Sequence, residues 1–198
     1  MKKSLIIVAH PDDEIIWAGG LILQNLHWDW TIFSLCRASD KDRAPKFRKV
    51  CNHLGAKSII TDLDDEFDFK ISSKEIKNLI LSNLPKKRFN YVFTHGANGE
   101  YGHIRHLEVH NAVKQLVKNK LLECDSLWFF AYLSSNEPSL HNPSLFIPIA
   151  DKKADWQVCL TSEQYKEKQK IITEIYGFKS PIFETMAAGS KESFNLWK

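Results

Sequence analysis

Short β-branched runs alternate with stretches of helical periodicity along most of this chain, and that alternation limits its fold more than any other feature. Residues 4–9 are an apolar, β-branched run, and residues 13–26 carry apolar side chains at helical spacing. Residues 30–35 predict a second strand, 46–54 a helix stopped by Gly55, and 58–60 a short third strand. A helix over 74–84 stops at Pro85, and 91–94 is a short buried strand. A polar loop over 95–101 follows, and helical spacing resumes over 107–122. A further strand is expected over 127–132 and a charged amphipathic helix over 162–176. Between them, around Pro138, Pro143 and Pro148, the pattern weakens. Such alternation predicts an α/β fold, a mainly parallel sheet covered by helices on both faces. In sheets of this kind ligands bind beyond the carboxyl ends of the strands. Two polar loops occupy that place, one after Ala9 and one after Thr94.

Composition narrows the reading further. A chain of 198 residues, 43% hydrophobic, is expected to form one domain over 1–198 around a real core. Its 27 Lys+Arg against 24 Asp+Glu leave +3, too small and too scattered a charge for a nucleic-acid binder. The longest strongly apolar stretch, 127–133, is far short of the ~20 residues of a spanning helix, so no transmembrane segment is expected. The apolar start ends at His10-Pro11-Asp12 without a small-residue cleavage site and reads as a first strand rather than a signal peptide. The four cysteines form no CxxC pair, which fits reduced thiols in a cytoplasmic protein. Gly19-Gly20 falls inside the first helix rather than in a GxGxxG turn, which argues against a dinucleotide site.

The first loop, His10-Pro11-Asp12-Asp13-Glu14, delivers an imidazole and three carboxylates within five residues. His10 and Asp13 are three apart, so a helical turn aims both at one point while Asp12 points elsewhere. Imidazole nitrogen with carboxylate oxygen suits zinc. In the second loop, Gly99 and Gly102 allow sharp turns around Tyr101-Gly102-His103-Ile104-Arg105-His106. An HxxH alone is a weak signal, but two such loops at the ends of parallel strands favour a metal site.

Ala9-His10-Pro11-Asp12-Asp13-Glu14, followed by Gly102-His103-Ile104-Arg105-His106, resembles the LmbE-like/PIG-L family of zinc-dependent N-acetylglucosamine deacetylases. The hexapeptide matches the family's AHPDDE without a change, and the second motif matches its GHxxH form. The resemblance implies a Rossmann-like fold and a zinc ion held by His10, Asp13 and His106, with Fe2+ as the alternative ion. It also implies Asp12 as general base, His103 as general acid and Tyr101 as a partner of the oxyanion. This division of labour makes chemical sense. Zinc lowers the pKa of its water towards ~7, a carboxylate completes the deprotonation, and an imidazolium protonates the leaving amine. Arg43-Ala44-Pro45-Lys46, with Val50 and Leu54-Gly55, echoes a family helix whose arginine contacts substrate, although Lys46 and Val50 depart from it. Family members often carry HPDH where this chain has Ile104-Arg105, and a cation beside His103 is expected to favour its neutral form.

The implied activity is removal of an acetyl group from an N-acetylated amino sugar, within a glycoconjugate or a nucleotide- or lipid-linked precursor. The alternatives are an amidase on another sugar conjugate and a non-catalytic carbohydrate- or nucleotide-binding domain, for which Arg105 speaks. The substrate is thus a small-molecule or lipid-linked amino sugar, and a homo-oligomer is compatible with the sequence. His95, Asn98 and Glu100 share a loop that could touch a sugar, and Asn98 is assigned to substrate binding with Arg43. Glu14 reads as a carboxylate that orients the site, and His110 as a buried or supporting residue. The resemblance implies a substrate-contacting aspartate after the third strand, and the acidic run 62–68 contains candidates without marking which one serves, an ordinary solvated loop being an equal reading. Trp17, Trp28, Trp30 and Trp128 could stack on a sugar face, but most large aromatics belong to the core and none is assigned to the site.

Overall fold

Strand β1 (Lys3–Val8) has no solvent face: every residue after Lys3 is buried. Ile6 and Val8 enter one apolar core, while Leu5, Ile7 and Ala9 enter another on the opposite side. Burial on both faces is what a central parallel strand requires. A computed structural model describes residues 1–66, 69–140 and 142–198. In it β1 pairs in parallel with β2 (Asp29–Cys36) on one side and β4 (Arg88–Thr94) on the other. β3 (Lys57–Leu63) flanks β2, and β5 (Glu123–Phe130) flanks β4, both in parallel. The sheet runs β3-β2-β1-β4-β5-β9-β8. Its last two strands, β9 (Lys191–Leu196) and β8 (Trp156–Cys159), are antiparallel additions.

Helices cover both faces, as the alternation predicts. On one side lie α1 (Asp13–Gln24), α2 (Arg43–His53) and α6 (Ser162–Lys170), which continues as a π-helical turn over Ile171–Ile175. On the other lie α3 (Ser73–Asn83) and α5 (Ile104–Lys118). Between β4 and α5 comes a short turn, α4 (Gly99–Gly102), and α7 (Phe183–Ala187) precedes β9. The chain winds from β1 outward to β2 and β3, then returns to β4 on the other side of β1. The crevice between β1 and β4 is therefore a topological switch point, and both motif loops open into it.

The structure departs from expectation after Phe130. The strand foreseen to 132 leaves the sheet at Ala131, and β6 (Tyr132–Pro138) pairs with β7 (Phe146–Ala150) as a separate hairpin. β8 and β9 were hidden because their pattern is not apolar. Glu192 and Ser193 of β9 are buried. The Glu192 carboxylate accepts the amides of Gly20 (2.6 Å) and Leu21 (2.8 Å) and pairs with buried Lys168 (2.7 Å), whose ammonium also donates to the Ile16 carbonyl (3.0 Å). An ion pair is thus inserted beside the amide and carbonyl that stand four apart in α1. Among the described residues no helix is long and apolar enough to cross a membrane.

Candidate metal centre and cleft

The backbone beyond β1 is fixed before any side chain acts. The Ala9 amide donates to His95 Nε2 (2.9 Å) and its carbonyl accepts from the Cys36 amide (2.9 Å). Asp12 then adopts φ 119°, a region costly for a residue with a Cβ, by ~1–3 kcal/mol. Its amide donates to Glu14 Oε2 (3.0 Å), and its carbonyl accepts from Ile15 and Ile16 as α1 begins. The other oxygen of fully buried Glu14 accepts from the Tyr176 hydroxyl (2.5 Å). Burial pushes the Glu14 carboxyl up to about 7, against the hydrogen bonds from Tyr176 and the backbone. Glu14 thus ties the Asp12 turn to Tyr176. The strained turn sends neighbouring carboxylates opposite ways: Asp12 to the cleft, where Arg43 Nη1 reaches Oδ2 (3.2 Å), and Asp13 to the imidazoles.

Three donor atoms meet at that second point. His10 Nδ1 lies 3.2 Å from Asp13 Oδ2, His106 Nε2 lies 3.4 Å from the same oxygen, and the two nitrogens are 3.3 Å apart. Each far atom already has a partner. His10 Nε2 meets Asp65 Oδ1 (2.7 Å), His106 Nδ1 meets Glu100 Oε2 (2.6 Å), and Asp13 Oδ1 accepts from the Trp17 indole (2.9 Å). The carboxylates hold protons on the far nitrogens, so the near nitrogens are the positions a cation would take in place of a proton. Tetrahedral zinc, with bonds of about 2.0–2.1 Å, would separate its donors by about 3.3–3.4 Å. The triangle has that size. Burial disfavours charge on His106, yet Asp13 and Glu100 hold its pKa up at about 10. Conversely, despite burial, His106 and His95 hold Asp13 well below the usual carboxylate range. A centre this electron-rich favours a cation, and a zinc ion fits the donor set and its spacing.

Glu100 is the support that sequence reasoning misjudged. It is buried rather than poised for a sugar. Oε2 accepts from both His95 (2.8 Å) and His106 (2.6 Å), and Oε1 accepts from the Gly96 amide (2.7 Å). Gly99 and Gly102 make this possible with φ of 62° and 87°, bracketing Glu100 itself at 58°. His95 stacks on His106 with ring centroids 3.8 Å apart. Its nitrogens are engaged by Ala9 and Glu100, so it braces the centre although it lies near it. His110 is buried and donates to the His95 carbonyl (2.9 Å).

Beside the triangle opens a cleft of about 220 Å³, walled among others by Asp12, Arg43, Tyr101, His103, Phe183 and Glu184. Tyr101 packs edge-on against Phe183, with centroids 4.8 Å apart. His103 caps α5, its Nδ1 accepting the Arg105 amide (3.3 Å). Burial, with His106 and His10 nearby, pushes the His103 pKa down to about 3. The neutral form was expected, but the expected cause was not the right one. Arg105 is fully buried and its guanidinium turns away to Glu108 and to carbonyls beyond β3.

Two other assignments change. Asn98 is exposed and its amide serves the fold, donating to the Tyr132 carbonyl (2.8 Å) and accepting the Glu100 amide, so it lies outside the cleft wall. Within the acidic run, Asp65 is the residue that reaches the site, tied by Arg37 through Nε (2.9 Å) and Nη2 (2.6 Å). Asp62 instead holds Ser39, and Asp68 lies outside the described residues. Phe183, Glu184 and Tyr176 were missed, for they come from the last third of the chain, where no motif marks them.

Comparison with known proteins identifies the family and the fold. The model of the family described as GlcNAc-PI de-N-acetylase (PIG-L) matches residues 5–117, more than half of the chain. An uncharacterized protein of Acanthamoeba polyphaga mimivirus is 29% identical over 120 residues, 52% of each chain, so this chain spans about half the length of that curated relative. Among solved structures, an N,N'-diacetylchitobiose deacetylase from Pyrococcus horikoshii superposes with a TM-score of 0.68 at 17% identity, covering 99% of this chain and 84% of its own. A conserved protein of Thermus thermophilus gives 0.69 at 14% identity over 98% and 94%. The hydratase GalB of Pseudomonas putida gives 0.63 at 13% over 99% and 96%. At such identities these likenesses establish the fold.

Proposed function

The chain belongs to the GlcNAc-PI de-N-acetylase family, and on that footing we propose that it is a zinc-dependent hydrolase that removes the acetyl group from an N-acetylated amino sugar. The observation that carries the reading is the triangle of His10 Nδ1, Asp13 Oδ2 and His106 Nε2 beside the cleft carboxylate of Asp12. Those three atoms would hold the metal, leaving one side towards the cleft. When bound, zinc supplies Lewis acidity, making a water easier to deprotonate and an amide carbonyl easier to attack.

The remaining chemistry belongs to the chain. Asp12 takes a proton from the attacking water as its oxygen bonds to the acetyl carbon. Burial, with Asp13, Glu14 and Glu184 nearby, raises the proton affinity of Asp12 well above that of an ordinary carboxylate, and Arg43 pulls it back. A base of this kind keeps the proton it has taken and can hand it to the departing nitrogen as the C–N bond breaks. His103 enters neutral. Its Nδ1 accepts the Arg105 amide, which places its proton on Nε2, and that N–H is assigned to the substrate carbonyl oxygen alongside the Tyr101 hydroxyl. In this reading Asp12 replaces His103 as the acid. Arg43, stacked on Phe178 at 4.2 Å, stands at the entrance to fix a substrate hydroxyl or phosphate. The small cleft suits a single sugar residue bearing the acetamido group.

Arg105, which spoke for a non-catalytic binding domain, faces away from the cleft. The test is acetate release from N-acetylglucosamine, diacetylchitobiose and GlcNAc-phosphatidylinositol by the zinc-loaded protein. Release from at least one of them is expected, and none from any of them contradicts the reading.

A further inference from the structure

We infer that Arg105 is a positioning residue for His10, acting through Asp65 across the chain that follows β3. The effect on zinc rests on the function proposed above, but the geometry does not. Arg105 is fully buried, and its planar fork is engaged at all three nitrogens. Nε donates to the Asp64 carbonyl (2.7 Å), and Nη2 donates to the carbonyls of Glu66 (2.6 Å) and Phe69 (2.7 Å). Nη1 pairs with Glu108 (2.6 Å), one helical turn along α5. The other Glu108 oxygen accepts the Ile71 amide (2.9 Å). Arg105 therefore grips the main chain immediately before and immediately after Asp65.

What it grips matters to the centre. Asp65 Oδ1 meets His10 Nε2 at 2.7 Å, which selects the tautomer whose Nδ1 lone pair faces Asp13 and His106. Arg37 holds the opposite oxygen, so Asp65 cannot rotate away without losing both partners. Arg105 is also the neighbour of His106 in the first turn of α5. That turn presents a candidate metal ligand on one side and, on the other, the anchor for the residue that orients a second ligand. Lysine cannot reproduce it, because an ammonium lacks the fixed fork that spans three carbonyls and a carboxylate.

The experiment uses Arg105→Lys, Glu108→Gln, Asp65→Asn and the Arg105→Lys/Asp65→Asn double variant. Imidazole nitrogen NMR of the metal-free proteins, recorded at a pH high enough for His10 to be neutral, reads its tautomer, and competition with a chelator reads affinity for zinc alone. Wild type should show the Nε2–H tautomer of His10. Arg105→Lys should mix the two tautomers and weaken zinc binding about tenfold, Glu108→Gln should do so less, and Asp65→Asn by about 10–100-fold. The double variant should match Asp65→Asn within about twofold, since both act through one contact. A folded Arg105→Lys with the wild-type tautomer overturns the inference, as does a double variant whose losses simply add. If wild type binds no zinc, the proposed function fails, and the tautomer still decides the role of Arg105.

Discussion

The loops at the ends of β1 and β4 and the chain beyond Phe130 contribute to the same cleft in opposite ways. The loops bring the donor triangle and Asp12 from two short motifs, each local in sequence. The later segment brings support from far away: Tyr176 holds Glu14, Glu192 and Lys168 hold α1, and Phe183 and Glu184 wall the cleft. Reactive atoms need fixed spacing and so sit on motifs. Supporting groups need only arrive at the right place, and many sequences achieve that.

If this division is right, substitutions in the two regions fail differently. Asp12→Ala should lower acetate release by about 10²–10⁴-fold with zinc retained and the fold intact, read by turnover beside metal analysis. Full activity in that variant would remove Asp12 from the mechanism. Glu192→Leu should act in the other manner. It strands the buried Lys168 ammonium and leaves the amides of Gly20 and Leu21 without their acceptor, so denaturant unfolding should show a loss of about 3–5 kcal/mol. Unchanged stability would show that the pair does not anchor α1.

Glu14 joins the two regions, and its effect depends on pH. Its folded-state pKa stands at about 7, above the ordinary glutamate value of 4.5, so the folded protein holds this proton more tightly than the unfolded chain does. The resulting stability is complete below the unfolded value and is lost as pH rises through about 7. Unfolding free energy measured from pH 4.5 to about 8 should fall more steeply in wild type than in Glu14→Gln. Parallel curves would contradict the assignment. The smallest effect is expected at Asn98→Ala, which should leave KM within about threefold and cost about 1 kcal/mol through the lost hydrogen bond to Tyr132. A large rise in KM would return Asn98 to the substrate site.

The same division explains what could be read in advance. The convergence of His10 and Asp13 was legible because a strand end followed by a helical turn dictates where residues three apart point, whereas His106 entered only through the family resemblance. The central strands were legible because burial on both faces leaves a continuous apolar run. Glu100 was not, since an acidic residue in a glycine-rich loop resembles any solvent-exposed turn until its φ of 58° buries it beneath two imidazoles. Arg105 was noticed as a departure but misread, because sequence adjacency to His103 says nothing about which side of a helix carries the guanidinium. β9 escaped because a buried glutamate breaks the alternation that marks a strand.

The most direct test of the central claim is elemental analysis of the purified protein beside His106→Ala. About one zinc ion per wild-type chain is expected, lost in the variant while the fold persists. A wild type that binds no metal even after zinc is restored would contradict it, as would a variant that retains its zinc.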